Sequence, residues 1–99
     1  MTITKTLNGS ECILTVEGRL DAESAPKLRA VVETLDEVSD LTLDFSKLDY
    51  ISSAGLRVLL SAQKLMAKKG GMTLRHVSEA IMEIFEVTGF VDILNIVND

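Results

Sequence analysis

The sequence contains few of the residues from which crosslinks, metal sites and rigid linkers are built. Its 99 residues include one cysteine, one proline and no tryptophan. A single cysteine cannot form an internal disulfide, and it cannot supply a cysteine-rich metal site. Because Cys12 lies in the apolar run Cys12-Ile13-Leu14, we expect its side chain to be a small buried apolar group.

Long apolar runs are also absent from the sequence. The longest such run has three residues, for example Val58-Leu59-Leu60. A membrane-spanning helix needs about 18 apolar residues, and a secretory signal peptide needs about 7–15 of them near the start. The sequence therefore predicts a soluble chain with no membrane insertion and a cytoplasmic location.

Basic residues are outnumbered by acidic ones. Fifteen acids and ten bases give a net charge of −5, and residues 1–50 hold ten of the acids but only five of the bases. Nucleic-acid binding depends on the neutralisation of phosphates by Lys and Arg. We therefore expect no direct nucleic-acid partner.

Hydrophobic periodicity divides the sequence into elements in the order ββαβαβα with a terminal element. The predicted elements are a hairpin around Asn8-Gly9-Ser10, a helix with Ala25, Leu28, Val32 and Leu35 on its apolar face, a strand over 41–45, a helix from Ser53 to about Lys69, a strand over 72–77, a helix from its cap Ser78 to Gly89, and a short strand or helix over 93–97. A short loop is expected between the strand ending at residue 45 and the second helix. Helices between strands imply crossover connections. The expected fold class is α/β, a mixed sheet of four to five strands with three or more helices packed on it, in one domain spanning residues 1–99.

The second predicted helix has two contrasting faces. Its expected buried stripe consists of Val58, Leu59, Ala62, Leu65 and Met66, and its expected exposed face consists of Arg57, Ser61, Lys64 and Lys68. The cations on the exposed face fit an acidic partner, but a solvated helix face would show the same pattern.

Groups that carry catalysis are sparse. The only histidine, His76, lies in a predicted strand without a carboxylate nearby in the sequence, so we expect a histidine at the edge of the core. A triad of Ser53, His76 and Asp44 can be assembled on paper, as it can from most sequences. There is no glycine-rich phosphate loop with a lysine and no spaced set of metal ligands. The sequence therefore predicts a protein that is not an enzyme and binds no cofactor or metal.

Two neighbouring serines, Ser52 and Ser53, fall at the predicted start of the second helix. Serine is a favoured helix cap, which would explain one of them. A helix N-terminus also favours anions, and the small residues Ala54 and Gly55 leave its N–H groups accessible. On residue chemistry alone, capping and an anion or phosphorylation site both remain open.

The stretch Tyr50-Ile51-Ser52-Ser53-Ala54-Gly55-Leu56 resembles the signature of the STAS domain, the family of anti-sigma factor antagonists. Further similar segments are Gly18-Arg19-Leu20-Asp21, Leu43-Asp44-Phe45, Ser78-Glu79-Ala80-Ile81 and Thr88-Gly89-Phe90. The resemblance covers nearly the whole chain and implies a small mixed sheet with helices, in agreement with the pattern above.

The resemblance implies a bacterial partner switch without catalysis by this chain. The partner would be an anti-sigma factor that is also a serine kinase, and a serine phosphatase would reset the cycle. The phosphoacceptor falls on Ser53, with Ser52 as the alternative because many family members have aspartate at that position. The implied partner-binding residues are Asp21, Ser52, Ser53, Ala54 and Gly55. The other possible function is that of an unphosphorylated STAS adaptor serving a transporter or a larger signalling assembly.

Overall fold

The structure, a computed structural model, describes residues 1–97. The strands are β1 (Thr2–Asn8), β2 (Glu11–Leu20), β3 (Asp40–Asp44), β4 (Leu48–Ile51), β5 (Met72–Arg75) and β6 (Asn95–Val97). The helices are α1 (Ala25–Glu33), α2 (Ser53–Ala67) and α3 (Glu79–Thr88), and a 3₁₀ turn spans Phe90–Asp92. Within this part of the chain, no helix is long and apolar enough to cross a membrane.

The six strands form one mixed sheet in the order β1-β2-β3-β5-β6, with β4 paired to β2. The β1–β2 hairpin is antiparallel, and the remaining pairs are parallel. Strand β2 is long enough to have two partners on the same side, because β3 pairs with its first half and β4 with its last residues. The mixed sheet with three helices is confirmed, although it has six strands where the sequence predicted four to five.

Strand β4 is the element that the sequence did not reveal. The segment predicted to be a short loop contains Leu48–Ile51. Only the first and last residues of this strand are buried, so it lacks the alternating burial that is typical of a strand. Its pairing with β2 requires a register shift between Gly18 and Arg19, and Gly18 has a φ of 100°. Glycine tolerates that left-handed backbone at little cost. The terminal element is a strand, β6.

The hydrophobic core lies on one face of the sheet. Alternate residues of β2 and β3 point towards the helices, and the helices cover them with their apolar stripes. Fully buried residues from these layers include Cys12, Leu14, Leu41, Leu43, Leu28, Leu59, Met66 and Phe85. The opposite face of the central strands carries the half-buried Thr15, Thr42 and Thr73.

The predicted helix faces agree with the structure except at one position. Leu65, expected in the buried stripe of α2, is 39% exposed, whereas Leu56 is buried. The exposed face predicted for α2 is confirmed. Helix α3 begins and ends as predicted, since the Ser78 hydroxyl accepts the Ile81 N–H and Gly89 adopts a φ of 82°.

Candidate functional site

The predicted partner-binding residues meet where β2 and β4 end. Leu20 and Ile51 are paired neighbours in these strands, and the N–H of Ser52 donates to the carbonyl of Leu20 at 2.9 Å. The chain continues from Leu20 to Asp21 and from Ser52 into α2. The structure therefore brings Asp21 and residues 52–55 to one corner of the sheet.

Ser52 is the cap of α2. Its hydroxyl accepts the N–H of Gly55 at 3.4 Å, and its carbonyl accepts the N–H of Leu56 at 2.9 Å. The first of these bonds engages the Ser52 hydroxyl in capping the helix, and the second is a backbone bond of the first helical turn. The capping interpretation of the serine pair therefore applies to Ser52.

Ser53 is the first residue of α2, and its side chain is exposed. Within residues 1–97 its hydroxyl makes no hydrogen bond. The first N–H groups of a helix have no carbonyl partner one turn earlier, and with the helix dipole they favour an anion. The first turn of α2 also contains no acidic residue. Ser53 therefore presents a free hydroxyl at an end of the helix that tolerates negative charge.

Gly55 allows α2 to approach the sheet. A Cβ atom at this position would lie 2.7 Å from both the Leu20 carbonyl oxygen and Ile51 Cγ1. Gly55 is buried and Ala54 is half-buried. The glycine thus fixes the position of the helix start, while Ser53 and Ala54 lie nearer to the surface.

Asp21 forms the turn that leads into α1. Its Oδ1 accepts the N–H groups of Glu23 and Ser24, each at 3.1 Å. The Ser24 hydroxyl accepts the N–H of Asp21 at 2.9 Å and donates to the Arg19 carbonyl at 2.6 Å. The backbone hydrogen bond from Ser24 is the largest of the effects that lower the pKa of Asp21, so the carboxylate stays charged.

Arg19 and Tyr50 extend this corner, and the sequence did not single them out. The Arg19 guanidinium lies 4.1 Å from the centre of the Tyr50 ring, and Arg19 Nε lies 3.7 Å from Asp21 Oδ2. A cation over an aromatic face is attracted by the ring quadrupole. Both residues lie within the segments that resemble the STAS family. They become neighbours only through the pairing of β4 with β2, which was not predicted.

His76 lies outside the site, and its surroundings differ from the prediction. It follows β5 instead of lying within it, has a φ of 58°, and places Nδ1 3.0 Å from Asp44 Oδ1. Burial would raise the pKa of Asp44, but hydrogen bonds from the Ser46 amide and His76 outweigh it and lower that pKa. The expected histidine at the edge of the core is thus an exposed residue in an ion-pairing position.

The strand register separates this pair from Ser53. Asp44 pairs with Thr15 of β2, and Ile51 pairs with Leu20. Since a strand rises about 3.3 Å per residue, the five residues from Thr15 to Leu20 span about 16 Å along β2. Within residues 1–97 the Ser53 hydroxyl makes no hydrogen bond to His76 or Asp44. Ser53, His76 and Asp44 therefore do not form a triad. Among residues 1–97 no group of three or more His, Cys, Asp or Glu side chains could hold a metal ion.

Comparison with known proteins places this geometry in a family. Residues 3–97 match a family model described as Mlab, STAS domain. The chain belongs to the STAS domain family. An anti-sigma-B factor antagonist of Bacillus subtilis (strain 168) is 32% identical to this STAS chain over 91 residues, which cover 90% of this chain and 84% of that protein.

Solved structures share the STAS fold of this chain. The Bacillus cell fate determinant SpoIIAA in the phosphorylated form superposes with a TM-score of 0.78 at 17% identity, covering 99% of this chain and 91% of that one. A sulfate transporter family protein from Wolinella succinogenes gives a TM-score of 0.79 at 22% identity, covering 92% and 76%. At these identities the likeness concerns the fold alone.

Proposed function

We propose that this STAS chain is an anti-sigma factor antagonist that binds an anti-sigma factor with serine kinase activity. The partner would contact the corner formed by Asp21, Ser52, Ser53 and Ala54, which Gly55 holds in position. The observation that carries the proposal is the exposed hydroxyl of Ser53 at the first residue of α2, which forms no hydrogen bond to any other part of residues 1–97. It is supported by membership of a family that includes an anti-sigma-B factor antagonist.

Ser53 is the proposed phosphoacceptor, and Ser52 is not. A kinase needs a hydroxyl that it can reach and align for transfer of the γ-phosphoryl group. The Ser53 hydroxyl is exposed, whereas the Ser52 hydroxyl accepts the N–H of Gly55.

The phosphate would act on partner binding and leave the fold intact. A phosphoserine adds about −1.5 to −2 charges at pH 7. Within the domain, the N–H groups at the start of α2 offset this charge. At a docked interface, the same dianion must lose water or face partner groups, and a loss of about 1.4 kcal/mol already costs tenfold in affinity. The kinase therefore releases the antagonist by modifying it, and a serine phosphatase restores binding.

The test is a phosphorylation assay with the candidate anti-sigma kinases and ATP, read by mass spectrometry of the whole chain and of its tryptic peptides. We expect one phosphate on the natural chain and on Ser52→Ala, and none on Ser53→Ala. Phosphate on Ser53→Ala would assign the acceptor to Ser52. A natural chain that binds the kinase domain but accepts no phosphate would contradict the switch.

The alternative function is that of an unphosphorylated adaptor for a transporter or signalling assembly. The fold is shared both with the sulfate transporter family protein and with SpoIIAA, so the fold itself does not separate the two functions. Ser53→Asp distinguishes the two functions, because it places a negative charge where the phosphate would be. A binding surface that works without phosphorylation should be less sensitive to that charge. If Ser53→Asp and Ser53→Ala bind the same partner with equal affinity, the adaptor is favoured.

A further inference from the structure

An open groove of about 500 Å³ runs between α1 and α2, beside the proposed phosphorylation site. Its floor is formed by small and apolar side chains, among them Ala25, Pro26, Ala54 and Val58. Its rim carries three cations, Arg29, Arg57 and Lys64. A second cavity of about 140 Å³ adjoins the groove, because the two share Arg29, Val58 and Ser61 as lining residues. Glu33 and Leu65 also line this second cavity.

The positive charge of this groove is unusual for this chain. The net charge is −5, yet α2 contains no Asp or Glu over its whole length, Ser53–Ala67. Within the described residues, Arg57 and Lys64 form no ion pair, whereas Arg29 is 3.4 Å from Glu33. Glu33, which lines the adjoining cavity, is thus paired with Arg29. Arg57 and Lys64 are the exposed cations of the groove that have no acidic partner among residues 1–97.

The shape of the groove fits a helical segment better than a small compact ligand. It follows α2 from Ala54 to Leu65, eleven residues on, which is about 16 Å at 1.5 Å per residue. That length matches about three turns of a docked helix. Leu65 is 39% exposed at the far end and offers an apolar contact. An amphipathic helix laid in a groove buries its apolar face and leaves its polar side against the rim.

We propose that the α1–α2 groove binds an acidic amphipathic segment of the protein partner, with carboxylates against Arg57 and Lys64. This inference rests on the proposed function, because the segment would belong to the anti-sigma factor. The charge complementarity of the rim selects the acidic segment and disfavours a basic one. The exposed Leu65 and the apolar floor provide the burial that holds it.

The groove also explains how a phosphate on Ser53 could release the partner. Arg57 follows Ser53 by four residues, so the two side chains are neighbours on the surface of α2. A phosphate on Ser53 would lie beside Arg57 and neutralise part of the rim. It would also repel the carboxylates of the docked segment, which weakens binding without any change of fold.

The first test uses the full chain labelled with ¹⁵N and a synthetic acidic amphipathic helix of Leu and Glu, with its Glu→Gln analogue as the control peptide. We expect chemical-shift changes of the groove amides, including those of Ala25, Val58 and Ser61, with the Glu peptide only. The double variant Arg57→Glu with Lys64→Glu should weaken binding by about tenfold or more. Rising salt should weaken it further.

A matched control keeps the change in net charge the same. Lys5 and Lys47 are exposed and lie outside the groove, so Lys5→Glu with Lys47→Glu should bind the peptide within about twofold of the natural chain. Equal weakening by both double variants, or shift changes outside the groove, would overturn the proposal. So would a dimer in light scattering that only the groove variant dissociates, because a second copy would then be the occupant.

The second test measures the affinity of the same variants for the cognate anti-sigma factor. A natural chain that fails to bind rejects the proposed function. A natural chain and a groove variant that bind equally well reject the groove and leave the proposed function standing. Selective loss of affinity in the groove variant supports both.

Discussion

At the scale of single residues, two adjacent serines have different surroundings and therefore different expected roles. Ser52 uses its hydroxyl to cap α2, whereas the exposed Ser53 hydroxyl has no hydrogen-bond partner in the part of the chain that the structure describes. Sequence reasoning identified the pair but could not divide the roles between them, because the assignment depends on where the helix begins. One residue of shift in the helix start would exchange them.

Gly55→Ala tests the close approach of α2 to the sheet. The added methyl group would clash with the Leu20 carbonyl, a backbone atom that cannot rotate away. Overpacking costs about 1–3 kcal/mol, and the gain in helix propensity of about 1 kcal/mol offsets only part of it. Because the clash is with backbone, we expect the overpacking to exceed the gain in helix propensity and to leave a net loss of about 1–2 kcal/mol in the free energy of unfolding, measured in urea.

Ser61→Ala is the control for this variant, since Ser61 is exposed on the same helix. Its free energy of unfolding should stay within about 0.5 kcal/mol of the natural value. A Gly55→Ala chain as stable as this control would show that α2 has room for a side chain.

Asp21→Asn tests whether the charge of Asp21 stabilises the turn before α1. The measurement is the stability of the folded chain as a function of pH. The pKa of Asp21 is lowered from its ordinary value of 3.8, chiefly by the backbone hydrogen bond from Ser24. The folded state therefore favours the carboxylate, and this stabilisation is present above pH 3.8 and lost as the pH falls through the lower folded value. The natural chain should be more stable than Asp21→Asn at pH 7. The difference between their free energies of unfolding, measured in urea, should become smaller as the pH falls towards 3.

Asp36→Asn provides the comparison for that titration, because Asp36 is exposed and makes no side-chain hydrogen bond or ion pair within the described residues. Its stability should follow that of the natural chain across the range. If the difference in free energy of unfolding between the natural chain and Asp21→Asn does not change with pH, the carboxylate charge is not what stabilises the turn.

At the scale of elements, the cap of α2 and the proposed phosphoacceptor are adjacent residues. Ser52→Ala removes a helix cap and should lower the free energy of unfolding by about 1 kcal/mol. Ser53→Ala removes an unbonded exposed hydroxyl and should change it by less than about 0.5 kcal/mol. Urea denaturation of the two variants side by side measures the difference. The reverse order of stabilities would move the cap to Ser53.

The elements that sequence reasoning found are those with strong local signals. Helix α3 was located from a serine cap and a terminal glycine, and the β1–β2 hairpin from alternation around Asn8-Gly9-Ser10. Strand β4 has four residues and exists because β2 extends beyond β3 to pair with it. Such non-local pairing leaves little trace in a short segment, so the neighbours Arg19 and Tyr50 were missed as well.

The same limit explains the errors at His76 and Leu65. His76 and Asp44 are 32 residues apart, and only the parallel pairing of β3 with β5 brings them together. Leu65 has the spacing of a core residue on α2, but α1 leaves a groove there instead of covering it. Helical periodicity predicts which side of a helix faces inwards, and the neighbouring helix decides how far that side is covered.

At the scale of the whole molecule, the core should open as one unit, and Cys12 can report this. Cys12 is fully buried in β2, and burial raises the pKa of its thiol. Because the thiolate is the reactive form, alkylation should wait for unfolding. We expect the extent of alkylation to follow the unfolding curve recorded by circular dichroism in urea, since small domains unfold cooperatively.

Ser61→Cys in a Cys12→Ala background gives the exposed comparison, because Ser61 lies on the exposed face of α2. That thiol should react rapidly without urea. Rapid alkylation of Cys12 in native buffer would show that the sheet opens locally well below the global transition.

The distribution of charge over the whole chain bears most directly on the proposed switch. The acidic excess lies in residues 1–50, whereas α2 carries cations and no acid. Ser53 lies at the boundary between the two, where the proposed phosphate would change the charge that a partner meets. The central claim is that this change acts on binding and not on folding.

The most direct test is the dissociation constant of the cognate anti-sigma factor for the chain with and without phosphate on Ser53, measured by isothermal titration calorimetry. We expect the phosphorylated chain to bind at least about tenfold more weakly, a difference of about 1.4 kcal/mol. The urea midpoints of the two forms should agree. Equal affinities, or weaker binding accompanied by an unfolded phosphorylated chain, would contradict the account.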